Sequence, residues 1–154
     1  MVEEKFWKKS WDEGIEDLDP KLWETNYPET VKQVFEDFPN KVCLEYLGVE
    51  LTFKEIEQYS NQFANMLIEQ GFTVGDIIGI CVVNSPQYII TWLGSWKAGC
   101  AVSGISPLMS AGQIEYQIND MSSGGNKVGL VTLDAVFAGH LVKNKVAKKL
   151  PQLK

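Results

Sequence analysis

Arginine is absent from this 154-residue chain: all 14 basic side chains are lysine, set against 20 carboxylates for a net charge of −6. Arginine's planar fork is the usual means of gripping a phosphate or carboxylate at two points. Nucleic-acid binding needs a basic surface as well, so the composition argues against a DNA or RNA partner. Histidine occurs once, at His140, and cysteine three times, at Cys43, Cys81 and Cys100. The cysteines are far apart in apolar settings and have no nearby histidine, a poor pattern for a metal site or a closed disulfide framework. They read as buried, reduced filler. No apolar run approaches the roughly 20 residues that cross a bilayer, and Met1–Lys9 lacks the apolar centre of a signal peptide. A cytoplasmic chain without a transmembrane segment is the expectation.

What is present suits one folded domain, since 45% of the residues are hydrophobic and 22% charged. The charge is unevenly placed, with 15 of the 20 carboxylates in residues 1–60 and Lys143, Lys145, Lys148, Lys149 and Lys154 crowding the end. That tail reads either as the solvated last turn of a helix, where cations complement the dipole, or as a patch for an anionic partner or membrane surface. Residues 1–28 hold Phe6, Trp7, Trp11, Leu22 and Trp23 without a sustained period. They are expected to form an arm that lies against its own domain or a second subunit; alone it would not fold.

From Glu29 to Phe38, the residues Val31, Val34, Phe35 and Phe38 share a helical face, which Pro39-Asn40 ends. Val42 to Leu47 and Val49 to Phe53 flank Gly48 as two short strands around a tight turn. Thr52 and Glu55 have the spacing of a capping box; behind them Ile56, Tyr59, Phe63, Met66 and Leu67 predict a helix that stops at Gly71. The best punctuated stretch is Gly75 to Val102. Its unbroken apolar run Ile77–Val83 predicts a strand buried on both faces, as in a parallel sheet covered by helices. Asn84 or Ser85 would cap a helix begun by Pro86 and ended at Gly99, and Cys100–Val102 would open a second strand. After Ser106-Pro107, a capping box of Ser110 and Gln113 opens a helix carrying Ile114, Ile118 and Met121. A turn at 122–126, a strand at Val128–Thr132 and a last helix capped by Asp134, with Val136, Phe137, Leu141 and Val146, complete the alternation of an α/β fold.

Spacing alone yields no catalytic, cofactor-binding or metal-binding residue. Ser122 to Lys127 imitates a glycine-rich phosphate loop, but such loops follow a strand and open a helix. Here the order is reversed, which favours a plain turn. His140 lies between Phe137 and Leu141 with no nucleophile or carboxylate at a local pairing distance, which favours an ordinary helix histidine. Trp92 and Trp96 could form a ligand box, although four apart on one helix they read more simply as core. Truncating either core tryptophan would then cost about 3 to 5 kcal/mol.

The succession of elements resembles the N-terminal part of the adenylate-forming enzymes, and within them the acyl-CoA synthetases and other acid-CoA ligases. Trp23 followed by Tyr27-Pro28 is similar to the leader of many such enzymes. Thr52-Phe53-Lys54-Glu55-Ile56 resembles "T-Y-x-E-L", and Gly71–Asp76 resembles "G-V-x-x-G-D". Asn84-Ser85-Pro86-Gln87 is similar to "N-x-P-E", Lys97-Ala98-Gly99 to "K-A-G", Ser106-Pro107 to "N-P", and Gln113–Asp120 to "E-L-x-Y-x-x-x-D". The match runs over roughly residues 21–154. It departs at Met121–Lys127, where extra small residues replace "D-S-G-A-K", and ends where the family enters its next strand.

The resemblance implies a partial N-terminal subdomain of the acyl-CoA synthetase fold: a mostly parallel sheet flanked by helices, with a short hairpin near residues 42–53. In domain terms it implies an arm at 1–28 and a truncated subdomain at 29–154. It also implies a two-step reaction, in which a carboxylate attacks the α-phosphate of ATP and the thiol of coenzyme A then displaces AMP. ATP, magnesium and coenzyme A belong to the complete enzyme; the family's phosphate loop, magnesium ligand, ribose aspartate and mobile lysine all lie beyond the matched region. On this reading the 154 residues are an inactive piece of a ligase that is fatty-acid directed in its full form, with the rest of the ligase chain as partner. An exposed sheet edge makes a homodimer a further candidate. The alternatives are a non-catalytic, self-associating module and an aryl- or amino-acid-activating member of the family.

Overall fold

The computed structural model describes residues 6–17, 19, 21, 24 and 26–134. After a 3-10 turn over Phe6–Ser10, the elements run α1 (Tyr27–Asp37), β1 (Val42–Tyr46), β2 (Val49–Thr52), α2 (Phe53–Glu69) and β3 (Ile77–Cys81). They continue with α3 (Pro86–Lys97), β4 (Ala101–Gly104), α4 (Ala111–Ser122) and β5 (Val128–Thr132).

Strand β3 is the middle of a three-stranded parallel sheet in the order β4-β3-β5, with Ile78 opposite Val102 on one side and Gly129 on the other. Its side chains alternate between two cores. Ile78 and Ile80, with Val82 just beyond, pack against Phe63 and Leu67 of α2 and Tyr88 and Trp92 of α3. Ile77 and Cys81 point the other way, into Ile114, Ile118 and Met121 of α4. The apolar run is unbroken because helices cover both faces. Ile78 and Ile80 are at most 1% exposed, and burying each contributes about 1.5 to 3 kcal/mol. Gly79 is part of the same fit: a Cβ there would stand 3.1 Å from both Ile105 and Met121 on the α4 side.

The remaining elements follow local chemistry. β1 and β2 form an antiparallel hairpin, with a register shift between Val42 and Leu44. Its two-residue loop, Leu47-Gly48, holds both residues at positive φ, +52° and +79°, the backbone sense that matches strand twist. The Thr52–Glu55 capping box is complete in both directions, as is that of Ser110 and Gln113. Gly71 and Gly99 stand just past the ends of α2 and α3 with positive φ.

Three expectations need correction. The first helix starts at Tyr27 rather than Glu29, because Asn26 caps it by accepting from the Glu29 amide at 3.0 Å and Pro28 suits its first turn. Helix α2 buries Ile56, Ser60, Ala64 and Leu67, whereas Tyr59 and Met66, expected on its apolar stripe, are 39% and 40% exposed. The small side chains face inward because α3 crosses closely there. A Cβ on Gly94 would come within 2.7 Å of the Ser60 carbonyl oxygen.

Third, Trp92 and Trp96 are half-buried rather than sealed in the core. Their rings lie 4.6 Å apart, and Tyr27 stacks over Trp92 at 6.3 Å and meets Trp96 edge-on at 4.8 Å. The pair is a seam that fastens the start of α1 to α3. Of the other arm aromatics, Trp7 is 47% exposed and Trp11 half-buried; Leu22 and Trp23 lie outside the described residues, as do the last predicted helix after Asp134 and the lysine-rich tail.

Candidate functional site

The side chains packed on each face show that the connection leaving β3 passes to the α2–α3 face, and the one leaving β4 passes to the α4 face. Where neighbouring parallel strands send their chains to opposite faces, a crevice opens beyond their carboxyl ends, the usual place for a ligand in such sheets. A hollow of about 740 Å³ lies there, walled by Val83 and Asn84 after β3, Tyr88 of α3, Gly104 at the end of β4, and Ser106 and Pro107 beyond it. A second hollow, about 340 Å³, adjoins it between the hairpin and the start of α3 and shares Tyr46, Asn84 and Tyr88 with the first. Together they form one trough.

Its floor is apolar, from Val82 and Ile105, and the polar groups of the larger hollow are neutral; the smaller hollow adds one carboxylate, Glu45. Ser85 is the N-cap residue of α3, but neither its side chain nor that of Asn84 caps the helix, contrary to expectation. Pro86 takes the first helical position, and the Tyr88 amide bonds to the Ser85 carbonyl oxygen at 3.0 Å. The exposed Asn84 carboxamide is left turned to the trough without a hydrogen-bond partner among the described residues.

The opposite end of the sheet is a closed network. The Asp76 carboxylate accepts from the Thr73 amide at 2.7 Å, the Thr73 hydroxyl at 3.1 Å and the Lys127 amide at 3.0 Å. The Thr73 amide is the main cause that holds the Asp76 pKa below the ordinary carboxylate value, against the cost of desolvation. Lys127 lies over the Phe72 ring at 4.0 Å and donates to the Gln70 carbonyl oxygen at 2.5 Å. Lys97, at the end of α3, donates to Ser60 Oγ at 2.9 Å and Asn61 Oδ1 at 2.7 Å beside the Phe35 ring. Burial lowers its pKa, partly countered by Glu57. Both lysines tie helices and loops together.

The sequence features that imitate sites fall into place around these two ends. Ser122–Lys127 links the end of α4 to the start of β5 at the closed end and is a turn, with Gly125 at φ +80°. Trp92 and Trp96 serve the seam with Tyr27. Cys81 and Cys100 are buried and Cys43 is half-buried; all three are free thiols whose pKa burial raises. His140 lies outside the described residues. Among the described residues, no group of three or more His, Cys, Asp or Glu could hold a metal ion. The trough itself was missed because Tyr46 and Tyr88 come from separate segments, and because its position depends on β5 pairing beside β3, which no local pattern records.

Residues 31–149 match the AMP-binding enzyme family. The chain belongs to that family. Its similarity to curated AMP-binding relatives includes 38% identity over 89 residues with one of the linear gramicidin synthase proteins of Brevibacillus parabrevis, covering 58% of this chain and 1% of that protein. It is also 31% identical over 100 residues to a long-chain-fatty-acid–CoA ligase of Bacillus subtilis, covering 65% of this chain and 17% of the ligase. Among solved structures, an anthranilate CoA ligase in complex with anthranoyl-AMP superposes with a TM-score of 0.74 at 22% identity, over 84% of this chain and 24% of that one. The architecture is therefore the adenylate-forming enzyme fold, of which the chain spans a minor part of each relative's length. No described helix is long and apolar enough to cross a membrane.

Proposed function

We propose that this chain is the part of an ATP-dependent, acid-activating ligase that supplies one wall of the substrate site. The observation that carries the reading is the family match over residues 31–149, laid on a sheet whose carboxyl end opens into a trough. ATP and magnesium require concentrated positive charge and an acidic ligand set. The described residues do not fit either: no cation lines the trough, and no metal-binding group is assembled. The phosphate chemistry is accordingly assigned to other segments of a ligase chain, which would be this subdomain's partner. Coenzyme A or another thiol is the proposed acceptor. Reduced cysteines favour a cytoplasmic setting.

Two acid classes have comparable support. The Bacillus subtilis relative favours a fatty acid, and the gramicidin synthase relative favours an amino acid. Pyrophosphate exchange into ATP, run with palmitate, benzoate and a set of amino acids on the polypeptide that carries this subdomain, decides between them. Exchange with one class is the expected result, and exchange with none overturns the activation reading. Exchange by the 154 residues alone would refute the assignment of phosphate binding to other segments. A second copy at the edge of β4 or β5, neither of which has an outer neighbour among the described strands, is the remaining partner proposal. A concentration-independent monomer in sedimentation removes it.

A further inference from the structure

Away from the trough, a hollow of about 540 Å³ lies between the first turn of α1 and the end of α3. Tyr27, Pro28 and Glu29 wall it on one side, and Trp96, Lys97 and Gly99 on the other. Two of these walls are aromatic. Tyr27 meets Trp96 at 4.8 Å with 79° between the ring planes, so the rings stand as a corner rather than a closed stack. Trp92, 4.6 Å from Trp96, supports that corner without lining the hollow.

The uncommitted charge beside the corner is negative. The exposed Glu29 carboxylate has no hydrogen-bond or ion-pair partner among the described residues. Lys97 also reaches the hollow, but its ammonium is held by Ser60 and Asn61 beside the Phe35 ring. Although a helix starts here, an anion is poorly provided for. Pro28 has no amide hydrogen, the Glu29 amide donates to the Asn26 side chain at 3.0 Å, and the Thr30 amide donates to the Asn26 carbonyl oxygen at 3.2 Å. The amides that ordinarily receive a phosphate are spent.

We propose that this corner binds a methylated organic ammonium ion, with its cationic head against the Tyr27 and Trp96 rings and the Glu29 carboxylate as counter-ion. Aromatic faces attract weakly hydrated cations of this kind, and a nearby carboxylate adds to the attraction. A metal ion would instead need a set of ligands that the described residues do not assemble. The site stands at the opposite end of the sheet from the trough and does not depend on the ligase reading.

The test uses the 154-residue chain, isotopically labelled, with backbone amide and tryptophan indole resonances followed by NMR during titration at constant ionic strength. Choline is the cationic probe, 3,3-dimethylbutan-1-ol its uncharged counterpart of the same shape, and acetate the anionic alternative. The expected result is saturable shifts at Glu29, Trp96 and Gly99 with choline and none with the other two. Trp96→Leu should weaken choline binding by about tenfold and Glu29→Gln by about threefold to fivefold, with the urea midpoint of each variant measured alongside. The exposed Glu29 side chain can be changed without disturbing the ring contacts, so this variant serves even where loss of Trp96 unfolds the seam. Equal saturable shifts with the uncharged alcohol, saturable shifts with acetate, or none with choline would each overturn the proposal. So would undiminished choline binding by Glu29→Gln or by a folded Trp96→Leu variant.

Discussion

The two ends of the central sheet are built on opposite plans. At the amino end, Asp76 satisfies three donors from two segments, Lys127 and Lys97 each reach across to other elements, and the glycine-rich turn simply closes the chain. At the carboxyl end Asn84 has no partner among the described residues, the helix cap is unmade and a trough stands open. The same strand, β3, connects them. The polar groups are spent on each other at one end and remain free at the other, where the substrate contacts proposed above would use them. Two charged residues of the family motifs, the aspartate of Gly-Asp and the lysine of Lys-Ala-Gly, sit at the structural end.

The strongest way to break this comparison is to remove Asp76. Asp76→Ala leaves the Thr73 and Lys127 amides without their acceptor and should cost about 2 to 3 kcal/mol in urea unfolding. Next comes Trp96→Ala, also at the amino end of the sheet. Because the ring is half-buried against Tyr27 and Trp92, about 2 kcal/mol is expected, below the value for a sealed core tryptophan.

The acid limb of stability sharpens the contrast further. Asp76 has a lower pKa folded than unfolded, so its contribution is full above the unfolded value of about 3.9 and is lost as the pH falls through the lower folded value. The stability gap between the wild type and Asp76→Asn should stay constant near neutrality and shrink below about pH 4. The smallest effect belongs to the other end. Asn84→Ala should change stability by less than about 0.5 kcal/mol, and a larger loss would mean that the carboxyl end is structural after all.

How far the sequence discloses this division depends on the range of the interactions involved. Capping boxes at Thr52 and Ser110, the Leu47-Gly48 turn and the doubly buried run of β3 are local, with steric or hydrogen-bonding causes contained within a few residues. They are legible. The same holds for the family motifs, most of which coincide with those caps and turns. Less visible is the inward face of α2, where Ser60 and Ala64 replace the expected large side chains because Gly94 brings another helix close. Least visible is the trough. Its walls come from the hairpin, α3 and two strand ends, and its place follows from strand order. The absence of any cation there is as informative as any motif, but it can be noticed only once those segments are brought together.

Strand order also has a consequence in time. β3 and β4 are joined by a single helix and can pair soon after both are synthesised, whereas the other flank of β3 waits for β5, roughly fifty residues later in the chain. At ribosomal rates of about 5 to 20 residues per second, that flank stays open for about 2 to 10 s. During this interval the most apolar strand of the molecule presents a bare edge, so the nascent chain is most prone to wrong pairing before β5 emerges. Slowing translation between residues 82 and 128 should lower the soluble yield more than slowing it earlier.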